Sequence, residues 1–186
     1  MNIELVLGDT RRWLEQVVIG LRLCPFAAAP YYKGLVRLIA TPACTEAELL
    51  DALAVECQTL AQSDPQDCET SLLVHPNALN DFAEYNQFLD AADGLISSLG
   101  LTGVLQVASF HPDYCFAGSE ADDRANFTNR SPYPMLHLLR EQSIEAVIDG
   151  GADSEAIVAR NIELLRAMSD EALRRHFAPS PATPGF

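Results

Sequence analysis

Three short apolar segments that each end at a proline constrain the fold of this chain more than any other feature. They span 34–41, 70–75 and 103–110, and they run into Thr41-Pro42, His75-Pro76 and His111-Pro112. Proline lacks the N–H that a strand needs to continue a ladder, so each strand stops there. The prolines lie 34 and 36 residues apart, and each interval has room for the one helix of a βαβ crossover. The repeat therefore predicts three parallel strands that end at the same edge of one sheet.

Helical periodicity fills both intervals and the N-terminal region. Apolar residues three and four positions apart predict helices over 45–62 and from about Asp81 to Leu99, with Gly100 as the C-terminal cap. The same spacing predicts a first helix over 10–23, opened by Asp9 or Thr10.

The C-terminal third has helical signals throughout. Ser131 followed by Pro132 resembles a helix start, because a capping hydroxyl precedes a proline at the first helical position. This predicts a helix to about residue 140. Further helices are predicted near 143–149, 153–167 and 169–176.

These elements predict an α/β fold with a small, mostly parallel sheet of three to four strands flanked by helices, and a helical C-terminal third. The alternative is a ferredoxin-like α+β sheet, in which one more strand would lie in a segment assigned otherwise here. The 186 residues are enough for one domain, placed at 1–178. The proline-rich end, 179–186, is expected to be a flexible tail.

Composition restricts the class of partner. The chain has 12 Lys and Arg against 26 Asp and Glu, a net charge of −14, so nucleic acids and anionic membranes are not expected to bind. The cysteine count is odd and no CxxC pair occurs, which suits a reducing compartment. No apolar run approaches the ~20 residues that span a bilayer. A cytoplasmic protein is predicted, and the sequence leaves its oligomeric state open.

The stretch 107–141 carries most of the polar side chains that could act in catalysis or in ligand binding. Long connections in compact domains are usually functional or disordered, and the aromatic residues of this one argue against disorder. We interpret it as an ordered loop that presents polar groups.

Two histidines follow the second and third predicted strands. If those strands are parallel neighbours, His75 and His111 lie side by side in one cavity at the edge where α/β sheets bind ligands. They are the candidate catalytic acid and base, or ligands of a divalent metal together with His137. The alternative is that each imidazole only caps its strand by bonding a loop carbonyl.

His137 and Glu141 lie four residues apart on the helix predicted after Ser131. That spacing can supply two metal ligands, and it is also the spacing of an ordinary surface ion pair. The cofactor therefore stays open, with a divalent metal as the candidate.

A cluster near Arg130 is the candidate substrate-binding group. Asn129, Arg130 and Ser131 precede a predicted helix N-terminus, where free N–H groups attract a carboxylate or phosphate. Asn126 and Tyr114 are assigned to the same site. The alternative for Arg130 is a salt bridge to Asp113, Asp122 or Asp123 that staples the loop.

Cys24 is a candidate nucleophile at the end of the first helix. A nucleophilic cysteine needs a depressed pKa, and a helix C-terminus acts in the opposite direction. Activation would require His75, His111 or Arg130 nearby in space, and a packed structural thiol is the alternative.

Four sequence blocks resemble a known family. GLRLCPFAAAPYYKGLVRL, LLVHP, QVASFHPDYCFAG and NRSPYPMLHLLRE are similar to a bacterial family of uncharacterised proteins, domain of unknown function 1415. The resemblance extends from Trp13 to about Leu165. It implies a bacterial cytosolic protein and no particular reaction. Cys115 lies where another polar residue is expected and is given no role.

The leading hypothesis is an enzyme or enzyme-like pocket for a small anionic metabolite, with His75 and His111 as acid and base and Arg130 as the anion clamp. A second hypothesis is a non-catalytic binding or regulatory module that uses the 110–135 loop. In a third, the loop only bonds to itself. A pocket in which histidine and arginine converge favours the first, and an exposed aromatic patch favours the second.

Overall fold

All three strands that the proline repeat predicts are present, and a fourth strand lies between two of them. The computed structural model describes residues 2–177. The strands are β1 (Val36–Ala40), β2 (Thr70–Val74), β3 (Leu105–Phe110) and β4 (Met135–Arg140). Their order in the sheet is β1-β2-β4-β3, with β1 parallel to β2 and β4 antiparallel to both of its neighbours. The sheet is therefore mixed, and the prediction of a mostly parallel sheet is wrong.

The fourth strand occupies the segment predicted as a helix from Ser131 to residue 140. Leu136 and Leu138 pack on one side of the sheet and Met135 on the other. A strand covered on both faces has a nearly continuous apolar sequence, which periodicity does not distinguish from a buried helix. The ferredoxin-like alternative anticipated an unassigned strand, but here the elements follow the order β-α-β-α-β-β rather than β-α-β-β-α-β.

Seven α-helices surround the sheet in the described part of the chain. They are α1 (Ile3–Trp13), α2 (Ala28–Tyr32), α3 (Glu46–Gln62), α4 (Phe82–Ser98), α5 (Glu141–Asp149), α6 (Ser154–Ala167) and α7 (Asp170–Phe177). A π-helical segment, Leu14–Ile19, continues α1, and a 3-10 helix spans Arg124–Thr128. None of the helices in this range has both the length and the apolar composition needed to cross a membrane. The predicted tail, 179–186, lies outside the described residues.

Local signals set most helix ends as predicted. Thr45 and Glu48 form a reciprocal capping box at the start of α3, and Asp81 caps α4. Gly100 has a φ of +69° and follows α4, as its predicted role requires. The predicted start of the first helix is wrong, because α1 begins at Ile3 and is capped by the side chain of Asn2.

Two apolar cores lie on opposite faces of the sheet. The first packs α3 and α4 against one face and includes Leu53, Tyr85 and Leu136. The second packs α1, the π-helical segment and α7 against the other face and includes Trp13 and Leu173. Both faces of the sheet are therefore closed, so its edges are where ligands can approach.

Tyr85 ties α4 to the end of the sheet. Its hydroxyl donates to the Met135 carbonyl at 2.8 Å and accepts the Phe110 N–H at 3.0 Å. Phe110 and Met135 are register partners on β3 and β4. One buried hydroxyl thus satisfies a donor on one strand and an acceptor on the other, at the point where the long loop leaves the sheet.

We expect Tyr85→Phe to lower the free energy of unfolding by about 1–3 kcal/mol, because two buried backbone groups lose their partner. The measurement is urea denaturation followed by circular dichroism. Tyr32→Phe is the matched control, since that ring is 73% exposed, and it should change stability by less than about 0.5 kcal/mol. Equal stabilities for Tyr85→Phe and wild type would contradict the bridging role.

Candidate functional site

The predicted site residues gather mainly at one edge of the sheet. β1, β2 and β3 end there, and β4 begins there because it runs in the opposite direction. His75 follows β2 directly, and His111 follows β3. The segment from His111 to Pro134 then connects β3 to β4, and we call it the edge loop.

His75 is fully buried and neutral. Its Nδ1 donates to the Ala78 carbonyl at 3.0 Å, and its Nε2 has no hydrogen-bond partner. The ring stacks on Tyr85 with 5.8 Å between centroids. Burial lowers the pKa of His75 to about 4, because no carboxylate compensates a positive charge at this position.

His111 is equally buried and has both ring nitrogens occupied. Its Nδ1 accepts the Asp113 N–H at 3.0 Å, so the proton is on Nε2, which donates to the Leu79 carbonyl at 3.2 Å. Burial also lowers the pKa of His111.

The two histidines share a turn rather than a cavity wall. They bond consecutive carbonyls, of Ala78 and Leu79, and Leu79 has a φ of +55°. A left-handed conformation is unfavourable for a leucine, so these two bonds help to hold a strained turn. The expected adjacency of their strands is wrong, because β4 lies between β2 and β3, but both imidazoles contact the Tyr85 ring and so lie close together. The bonds match the alternative in which each imidazole caps its strand through a loop carbonyl.

His137 lies apart from the other two histidines. It contacts Phe110, which packs in the second core, whereas His75 and His111 contact Tyr85 of the first. Thr70 donates its hydroxyl proton to the Leu138 carbonyl, so His137 Nε2 donates to Thr70 Oγ1 at 2.7 Å. Burial lowers the pKa of His137 to about 4.

The helical pairing predicted for His137 and Glu141 is wrong, because His137 is on β4 and Glu141 opens α5. The proposed three-histidine metal site is not assembled, since His137 is on the other face of the sheet. Within residues 2–177 there is no group of three or more His, Cys, Asp or Glu arranged to hold a metal ion.

The buried histidines predict a loss of stability in mild acid. The folded pKa of His75 lies below that of an unfolded histidine, so the unfolded state binds more protons between about pH 6.5 and 4. Stability is therefore fully present above pH 6.5 and falls as the pH drops through this window. Between pH 7.5 and 5.5 His75 alone should cost about 1.4 kcal/mol, and His111 and His137 act in the same direction.

Urea denaturation at the two pH values measures this loss. His75→Asn keeps an N–H donor near Ala78 and removes the titration, so the difference between the two pH values should shrink. Identical pH dependence in wild type and variant would show that His75 is not held neutral.

The two asparagines organise the edge loop. Asn126 is fully buried, accepts the Phe116 N–H at 3.1 Å and donates to the Glu120 carbonyl at 2.8 Å. Asn129 donates to the Ser109 carbonyl at 3.1 Å. Their amides therefore bond the loop to itself and to β3, as the third sequence hypothesis describes.

Ser131 and Tyr114 also make contacts within the protein. The Ser131 hydroxyl donates to the Tyr133 carbonyl at 2.6 Å instead of capping a helix. The Tyr114 ring packs between Phe82 and Phe116, with centroid distances of 5.1 and 5.0 Å.

The far end of the loop is anchored to α1. Tyr133 donates its hydroxyl to the buried Asp9 carboxylate at 2.8 Å, and Arg12 pairs with the same carboxylate at 3.1 Å. Burial and the neighbouring carboxylate raise the pKa of Tyr133. The sequence predicts Asp9 only as a possible cap of the first helix and does not predict its contact with Tyr133.

Arg130 is held in place by the loop backbone. Its Nε donates to the Tyr114 carbonyl at 3.2 Å and its Nη2 to the Ala121 carbonyl at 2.8 Å. The guanidinium lies over the Phe127 ring at 4.5 Å. Burial lowers the pKa of Arg130, but a guanidinium stays charged at neutral pH.

One of the three aspartates proposed as salt-bridge partners of Arg130 pairs with a different arginine. Asp123 pairs with Arg166 on α6 at 2.6 Å, and this guanidinium lowers the pKa of Asp123 to about 2. Arg130 therefore staples the loop through carbonyls. The charge of Asp113 favours the charged guanidinium, but neither Asp113 nor Asp122 forms an ion pair with it among the described residues.

A cleft of about 430 Å³ lies between the edge loop and α7. Three guanidinium groups line it, those of Arg124, Arg130 and Arg174. Its apolar lining is formed by Phe127, Leu173 and Phe177. The sequence predicts a role for Arg130 but not for Arg124 or Arg174. Arg174 is on α7, which only tertiary packing brings to the loop.

The three arginines differ in the hydrogen bonds and ion pairs that they already make. Arg124 donates to the carbonyls of Arg166 and Met168, at 3.3 and 2.5 Å, and pairs with Asp170 at 2.5 Å. Arg174 is exposed on α7 and makes none of the hydrogen bonds or ion pairs of the described residues. Asp122 and Asp170 are the acidic residues of the lining, so guanidinium groups outnumber carboxylates there.

Cys24 does not line this cleft. It is exposed in the segment between the π-helical segment and α2. Its backbone N–H donates to the Val18 carbonyl at 3.4 Å, and its thiol makes no hydrogen bond to a histidine or arginine within 2–177. The predicted activation by His75, His111 or Arg130 has no contact to support it.

A family model described as "Protein of unknown function (DUF1415)" matches residues 6–175. The chain belongs to this family. The resemblance inferred from the four sequence blocks is therefore confirmed, and the matched range of this DUF1415 member includes Arg124, Arg130 and Arg174. No curated protein and no solved structure matches the chain.

Proposed function

We propose that this DUF1415 protein binds a small anionic molecule in the cleft between the edge loop and α7, with Arg130 and Arg174 as its charged contacts. The observation that carries this proposal is the local excess of guanidinium groups. Three of the chain's 12 Lys and Arg residues line one cleft of a protein whose net charge is −14. With Asp122 and Asp170 counted, the lining still has one more cationic than acidic residue, so the local charge favours an anion.

Arg130 supplies a preorganised contact. Two of its five N–H donors hold the loop, and the Phe127 ring supports the plane of the guanidinium. The remaining donors can bond a carboxylate or phosphate without a further loss of side-chain freedom. Preorganisation of this kind raises affinity because less conformational entropy is lost on binding.

Arg174 supplies a contact from the opposite wall. It is exposed and makes no competing ion pair among the described residues, so it can turn toward a bound anion. An anion between these two arginines would connect α7 to the edge loop, in addition to the Arg124–Asp170 pair.

Binding, and not catalysis, is the function that these contacts support best. His75 and His111 do not line the cleft, and their ring N–H groups are bonded to the Ala78–Leu79 turn. Catalytic roles for them stay a prediction: His111 would have to break one of its bonds, and His75 would have to act through its buried, unbonded Nε2.

The proposal predicts that inorganic phosphate raises the thermal midpoint of the wild-type protein. At ten times its Kd a ligand adds about 1.4 kcal/mol, which raises the midpoint of a chain of this size by roughly 3–6 °C. Arg174→Gln should remove most of this shift and leave the midpoint without phosphate nearly unchanged, because the side chain is exposed. The measurement is a thermal melt with phosphate, against sodium chloride at equal ionic strength.

Arg175→Gln is the matched control. Arg175 is the next residue of α7, is equally exposed and pairs with Glu171, but it does not line the cleft. This variant should keep the full phosphate shift. A wild type that is indifferent to phosphate, or equal shifts in the two variants, would contradict the proposed site.

A further inference from the structure

We infer that the molecule bound in the cleft is a monocarboxylate with an aromatic or branched apolar body. This inference rests on the proposed anion-binding function and names the chemical class of the ligand. It follows from the apolar lining, the size and the charge balance of the cleft.

The apolar lining is continuous beside the cations. Phe127 and Phe177 meet edge to face, with 4.8 Å between ring centroids, and Leu173 belongs to the same core cluster as Phe177. All three line the cleft, and Arg130 lies over Phe127. Leu173 and Phe177 are themselves buried in the second core, so an apolar group of the ligand would lose water mainly against the half-buried Phe127 ring, next to the guanidinium that bonds its carboxylate.

The size of the cleft excludes an inorganic ion as its full occupant. About 430 Å³ lies in the range of pockets that enclose small organic molecules. A bare phosphate would touch the arginines and leave the half-buried Phe127 ring against water. An aryl or branched acyl group attached to a carboxylate fills both parts of the cleft.

The charge balance favours a single negative charge. Arg124 is already paired with Asp170, and Asp122 lines the cleft as well. The two remaining guanidinium groups match one carboxylate. A polyphosphate would bring several charges close to Asp122 in a protein that is already strongly acidic, which disfavours its binding.

Isothermal titration calorimetry of the wild-type protein with four probes tests this class. The probes are phosphate, acetate, 3-phenylpropionate and the neutral 3-phenylpropionamide. We expect 3-phenylpropionate to bind at least tenfold more tightly than acetate, and at least tenfold more tightly than the amide. The first ratio reports the apolar lining and the second the anion contact.

Two variants locate the apolar contact. Phe127→Leu should weaken 3-phenylpropionate binding at least threefold more than it weakens phosphate binding, because phosphate loses only the support that the ring gives to Arg130. Phe116→Leu, an exposed aromatic residue of the same loop outside the cleft, should change neither. If Phe127→Leu does not fold, the comparison of probes on the wild type still decides the matter.

The outcomes separate the two proposals. Binding of phosphate and acetate with no gain for 3-phenylpropionate would overturn the ligand class and leave the anion site in place. Equal binding of 3-phenylpropionate and its amide would overturn both, because the cleft would then recognise apolar surface without charge. Absence of binding by all four probes would also overturn both.

Discussion

The Tyr85 hydroxyl between the ends of β3 and β4 is the contact on which the rest of this edge depends. It satisfies the Phe110 N–H and the Met135 carbonyl, and the Tyr85 side chain that carries it is fully buried. Its ring also supports both His75 and His111, whose imidazoles hold the turn before α4. One side chain from α4 therefore sets where β3 ends, where β4 begins, and where the edge loop leaves the sheet. Neutral histidines suit this environment, because burial disfavours a charge on either imidazole.

The loop depends on that edge and in turn positions the cleft. Asn126 and Arg130 fold it by bonding its own carbonyls, and the Arg166–Asp123 and Arg124–Asp170 pairs attach it to α6 and α7. Most of its polar groups are consumed in this way, which accounts for the dense polar sequence between 107 and 141. The charge of Arg130 is not neutralised by these bonds, since carbonyls are dipoles and not anions. A structural arginine thus remains available to a ligand.

Local rules predicted much of the fold from the sequence. Prolines marked the ends of three strands, and Thr45, Asp81 and Gly100 marked helix ends, because these residues act through their own backbone neighbours. β4 was missed for a different reason: with both faces buried, Met135–Arg140 has no alternation to separate strand from helix. Its insertion between β2 and β3 also separated the strands that precede His75 and His111, which meet instead at the Tyr85 ring. Strand order depends on long-range contacts that a single sequence does not display.

In the candidate site, too, the sequence predicts some residues and not the long-range contacts that they make. Arg130 was predicted because it lies among other polar residues of the loop, but its partners, the Tyr114 and Ala121 carbonyls, could not be. Arg174 gave no signal, since an arginine on an amphipathic helix is ordinary. Only the packing of α7 against Phe127 gives that residue a place in the cleft.

The central claim is that the guanidinium groups of one cleft, and no others, receive an anion. A two-dimensional NMR spectrum of the arginine Nε–H groups, recorded while phosphate is added at constant ionic strength, tests it most directly. The account predicts saturable shifts for Arg130 and Arg174, and smaller ones for Arg124. Arg37 and Arg140 should stay unchanged, because Arg37 is paired with Glu56 and Arg140 is buried. Uniform shifts across all arginines, or none at Arg130 and Arg174, would contradict it.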